Sequence, residues 1–199
     1  MRRADILKVI WLSVLLGLGM ELALVAAAAG FGKMPGVNAI LADIVQKVSW
    51  AFIVCVGLVL GAGVAKAHEA AMGLAGLLAA PLGFNVARVL HKSAKEALGL
   101  VGVAGGAPSA TVLVALKTVE YAWLGAALGR LGKRNAGGGA YAGLGLATGA
   151  VFAGVVLWLS PRAPAEPLAA LVSKGINELL FPFGCSLVIF AAEAAGRKA

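Results

Sequence analysis

Of the 199 residues, 61% are apolar and only 13% are charged, and the mean hydropathy is +0.94, whereas a water-soluble domain carries roughly 45–50% apolar and about 25% charged residues. The 17 Lys and Arg against 9 Asp and Glu give a net charge of +8. These cations cluster between apolar runs and do not interleave with exposed aromatics, which excludes a nucleic-acid partner and points to loops held at anionic lipid surfaces.

The apolar runs match the ~20 residues that a helix needs to cross a ~30 Å hydrocarbon core. The sequence therefore predicts an all-α integral membrane protein of about six transmembrane helices, a single transmembrane domain over residues 1–199. The spans fall near 9–30, 48–66, 70–91, 110–130, 138–160 and 167–195, and the short loops make successive helices neighbours. A spanning barrel does not fit, since it needs alternating segments of ~10 residues.

The first span follows Arg2-Arg3 in the manner of a signal peptide. Its apolar run from Val9 to Phe31 is longer than the 7–15 residues of such a leader, so it is expected to be retained. Glu21 lies near its middle, where an ionisable group costs roughly 2.5–3.5 kcal/mol on insertion scales. It needs a partner, a proton or water, and is either a proton or cation site or a structural hydrogen bond between helices.

Before the second span, Ala39, Ile40, Leu41, Ile44, Val45 and Val48 oppose Asp43 and Lys47 at helical spacing, an amphipathic lead-in expected to lie in the interface. Cys55 and, in the sixth span, Cys185 form no disulfide framework and no CxxC spacing. They are expected to be small buried apolar residues.

His68 and His91 fall at the two ends of the third span, which places them on opposite membrane faces at ~1.5 Å per residue. No shared haem or metal is expected, and no cofactor. Pro81 and Gly83 interrupt the same span, because proline removes a backbone donor and clashes with the preceding turn. Asn85 follows by one turn.

In the fourth span, Lys117 and Glu120 share a helix face, and the neutralised pair is cheaper to bury than either charge alone. In the sixth, Asn177 and Glu178 precede Pro182 and Gly184 by one turn, with Ser186 just beyond. Ser173 and Lys174 are expected at headgroup level. The pairs Gly57/Gly61, Gly125/Gly129 and Gly145/Gly149 permit close helix approach.

Sliding the chain on itself by 99 residues lays Glu21 on Glu120 and Gly30 on Gly129; two further residues of offset bring Pro81-Leu-Gly83 onto Pro182-Phe-Gly184. This suggests two three-helix repeats, 1–98 and 108–199. An odd number of spans per repeat forces the second copy to be inverted, a device of many transporters. The terminal side carries Arg2, Arg3, Lys8, Lys66, Arg130, Lys133, Arg134, Arg197 and Lys198 against Lys33, Lys47, Arg88, Lys92, Lys95 and Arg162 opposite, a bias toward cytoplasmic termini in a prokaryotic plasma membrane.

Paired Gly/Pro interruptions in two halves point to a transporter's binding site. The leading expectation is thus a small transporter or channel for an ion or small solute. Glu21, Glu120 and Lys117 would form its charged centre and Asn85, Asn177 and Glu178 its lining, with helix breaks at Pro81, Gly83, Pro182 and Gly184. The alternative is a non-transporting subunit that scaffolds or anchors a membrane complex, or a homo-oligomer, through its glycine-rich faces. A lipid-directed enzyme using Glu120, Lys117 or His91 is a third class. Neither a GxSxG elbow nor a P-loop supports it.

Overall fold

The computed structural model describes residues 3–63, 68–100, 109–159 and 168–197. Arg2, Lys66, Arg162 and Lys198 lie outside them. Among the described residues every regular element is a helix: α1 (Arg3–Gly30), α2 (Val37–Ala62), α3 (His68–Ala97), α4 (Ala110–Lys133), α5 (Gly138–Leu159) and α6 (Leu168–Arg197). All six are long and apolar enough to cross a membrane; the shortest, the 22 residues of α5, extends ~33 Å at ~1.5 Å per residue.

Polarity is distributed as a bilayer demands. Trp11, Leu22, Val119 and Trp158 are mostly exposed, whereas Glu21, Lys47, Lys117, Glu120 and Glu178 are buried. Water would favour the reverse; hydrocarbon solvates the first set and excludes the second.

The helix ends follow local chemistry. Gly36 begins α2 from an extended conformation, and the Ser109 hydroxyl accepts from the Val112 amide at 3.3 Å to cap α4. After α1 and α3 the chain turns through left-handed Gly32 and Gly99, with Lys33 N bonded to Ala28 O and Leu100 N to Lys95 O. Each closes a six-residue loop that only a residue tolerant of positive φ can make.

Successive helices pack antiparallel, and α1 also meets α6, closing a ring; α6 further touches α2 and α4. Glycines set the closest seams. A Cβ at Gly61 would lie 2.7 Å from Ala75 Cβ, and one at Gly149 would lie 2.6 Å from the Leu179 carbonyl oxygen; one at Gly125 would strike the Met72 carbonyl. Gly125→Ala is therefore expected to destabilise the bundle by about 1–3 kcal/mol, although alanine is the better helix former by ~1 kcal/mol. Gly19→Ala, whose Cβ meets open space, is expected to gain. Thermal unfolding midpoints in mild detergent check both.

Two expectations change. The second helix begins at Val37 rather than near residue 48, so the amphipathic lead-in is its first turns: Lys47 is buried against Glu21 on α1, and the partly exposed Asp43 pairs with His91 on α3. The polar side of these turns thus faces protein partners, with Lys47 buried among them. Pro81 and Pro182 do not break their helices, since α3 and α6 run through them. A single proline removes only the ladder bond to the carbonyl four residues earlier; Asn85 Nδ2 and Ser186 Oγ instead bond the prolines' own carbonyls, Pro81 O and Pro182 O, each at 2.8 Å.

Candidate functional site

A cavity of about 430 Å³ lies between α2, α3, α4 and α6. Its walls come from the N-terminal parts of α2, α4 and α6 and the C-terminal part of α3, so it belongs to the face opposite the chain ends. Lys47, Arg88, His91, Lys117, Asn177 and Glu178 supply its polar lining, and Trp50, Phe84 and Phe181 its apolar one.

The centre of the polar wall is a three-residue cluster. Lys117 Nζ donates to Glu120 Oε2 at 2.7 Å and to Glu178 Oε2 at 2.5 Å, joining α4 to α6. Lys117 and Glu178 are 8% exposed and Glu120 is 0%, so the lysine is presented to the cavity and Glu120 stands behind it. The other oxygen of Glu120, Oε1, is buried without a protein donor. With one ammonium between two carboxylates, each buried charge is tolerable only through its neighbours.

A second pair flanks it. Lys47 lines the cavity and its Nζ lies 2.5 Å from Glu21 Oε2. Glu21 is thus set behind Lys47 as Glu120 is behind Lys117. Nearer the mouth, His91 Nε2 meets Asp43 Oδ1 at 2.8 Å.

Aromatic rings close the inner end. Trp50 stands edge-on to Tyr121, with centroids 5.4 Å apart, and to Phe181 at 6.4 Å. Lys117 Nζ sits 5.9 Å above the Tyr121 ring, a favourable placement for a cation. On the terminal face a separate polar cluster appears. Tyr141 Oη donates to Glu193 Oε2 at 2.5 Å, and His68 Nε2 is 3.7 Å from Glu193 Oε1. Glu69 pairs with Arg130 and Lys133 at 3.0 and 3.4 Å.

Of the residues singled out in the sequence, Lys117, Asn177 and Glu178 line the cavity, while Glu120 and Glu21 lie behind its lysines. Asn85 is exposed and bonded back to Pro81. Gly83 receives Trp50, Ile53 and Val54, and Gly184 receives Leu16 of α1, so these glycines serve helix approach. Sequence reasoning missed Lys47, Arg88, Trp50 and Phe181 as lining. The available signal was Pro35-Gly36, a helix start that puts Lys47 ten residues, ~15 Å, inside α2. Among the described residues, no group of three or more His, Cys, Asp or Glu is placed to hold a metal ion.

Comparison with models of protein families, with curated proteins and with solved structures finds no match to this chain.

Proposed function

We propose that this chain is a small membrane transporter that moves an ion or small solute through the α2–α3–α4–α6 cavity. One observation carries the reading: a cavity within the ~300–1,000 Å³ range of small-molecule sites sits inside a bundle of membrane-length helices and is lined by ionisable side chains. Charges at that depth are expensive, and where they occur they mark substrate and ion paths.

The reading includes a 3+3 inverted repeat, with α1–α3 related to α4–α6. Three observations support it. The 101-residue offset carries 68–97 of α3 onto 169–198, against 168–197 for α6. Asn85 and Ser186 make the same bond to Pro81 and Pro182. The link Asp43–His91 between α2 and α3 has a counterpart in Tyr141–Glu193 between α5 and α6, on the other face. Inversion would make these two polar ends alternate mouths of one path, with Trp50, Tyr121 and Phe181 between them. The charged pairs depart from the symmetry: Glu21 pairs with α2, whereas Glu120 pairs within α4 and with α6 through Lys117. In this reading the protein resides in a prokaryotic plasma membrane with both ends cytoplasmic, the more cationic face inward.

Flux of ions and protons in proteoliposomes at several pH values tests it. Glu120→Gln and Glu21→Gln, purified in equal monodisperse amounts, are each expected to lower flux about tenfold or more, the size of losing a charge-assisted contact of ~1.5–3 kcal/mol. No flux from the wild type or either variant would shift the reading to a scaffolding subunit, and co-purifying stoichiometric partners would then be sought.

A further inference from the structure

Cys55 and Cys185 are the only cysteines of the chain. They lie 130 residues apart in sequence, on α2 and α6, yet their sulfurs are 2.9 Å apart. Both are free thiols and 0% exposed. Neither lines the cavity; Trp50 and Phe181, about one turn earlier on the same two helices, do. The sequence reading of two separate apolar residues therefore captures their burial and misses their pairing.

A disulfide has its sulfurs ~2.05 Å apart, so less than ~1 Å of approach separates this contact from a covalent bond. We infer that Cys55 and Cys185 are a dithiol that an oxidant of the quinone class, dissolved in the bilayer, converts to an α2–α6 disulfide. The balance is complete: each thiol gives up its hydrogen, the two sulfurs join, and the two electrons and two protons reduce one quinone to its hydroquinone. Location selects this class of oxidant. A fully buried pair in the interior of two membrane-length helices is shielded from water-borne disulfides and ions, whereas Phe52, three residues from Cys55 and on nearly the same face of α2, is exposed on the outside of the bundle, the side a bilayer-dissolved oxidant approaches. The bond would tie the first three-helix unit to the second beside the aromatic plug. This chemistry does not rest on transport.

The test uses the full chain, reduced and reconstituted in lipid nanodiscs, then exposed to decylubiquinone or to ferricyanide, which stays in water. With the quinone, the intact mass is expected to fall by two hydrogens. Digestion without reductant should yield one linked peptide pair containing Cys55 and Cys185, and both changes should reverse with a phosphine reductant. Cys55→Ser and Cys185→Ser should each retain one alkylatable thiol and an unchanged mass. Two thiols still fully alkylated in the unfolded wild type after quinone treatment would overturn the inference. Equally fast oxidation by ferricyanide would also overturn it, by showing delivery from water.

Discussion

Replacing Lys117 by methionine is expected to cost the bundle about 3–5 kcal/mol, the loss typical of removing one partner from a buried ion pair. Methionine keeps the unbranched stem and much of its volume, so the loss is electrostatic. Glu120 and Glu178 both accept from this one ammonium, at 2.7 and 2.5 Å, and without it two buried carboxylates would face each other across the α4–α6 seam. The yield of monodisperse protein and its thermal unfolding midpoint in detergent should both fall. The triple variant Lys117→Met/Glu120→Gln/Glu178→Gln is expected to recover most of the stability, because neutral amides remove the repulsion and can bond each other. Glu120→Gln alone should be milder, since Lys117 keeps Glu178. If the single and triple variants lose equal stability, repulsion between the two carboxylates is not the source of the loss. Flux separates the proposed transport role of the cluster from its structural one: the triple variant is expected to be folded and inactive.

The hydropathy that marks six spans is legible because hydrocarbon imposes it on every turn of every helix, so α5 and α6 begin and end within about two residues of expectation. Glu21, Lys117, Glu120 and Glu178 were legible as costly groups needing partners. The Lys117–Glu120 pair was legible from its spacing; that Glu178 joins it and that Glu21 takes Lys47 was not. Amphipathic spacing around Asp43 and Lys47 looks the same whether the polar side meets water or meets Glu21 and His91, and periodicity reports a face without reporting what covers it. Cys55 and Cys185 are 130 residues apart, and only the closing of the helix ring joins them. The proline rule overstated its case: away from competing water the rest of the helical ladder persists, and α3 and α6 stay continuous. Trp50, Tyr121 and Phe181 come from three helices, and no spacing in the sequence announces that their rings meet.

Trp50→Ala is expected to turn a closed path into a leak. The indole is 7% exposed, forms part of the cavity wall and meets both Tyr121 and Phe181 edge-on, so on the proposed path it is the largest ring of the barrier. An apolar constriction blocks ions by excluding water, and cutting the ring back to a methyl group lets water extend past the level of Lys117 toward Cys55 and Cys185. Passive ion flux through proteoliposomes should rise at least about tenfold, equivalent to ~1.4 kcal/mol off the barrier, and should lose any dependence on Glu120. The substitution also removes core volume at a cost of about 3–5 kcal/mol, so monodispersity must be verified and the flux measured well below the unfolding midpoint. Trp50→Phe keeps an apolar ring against Gly83 and should remain tight. A folded Trp50→Ala protein with no added leak would place the barrier elsewhere, at the Tyr141–Glu193 end, and Tyr141→Phe would then be the variant to open it.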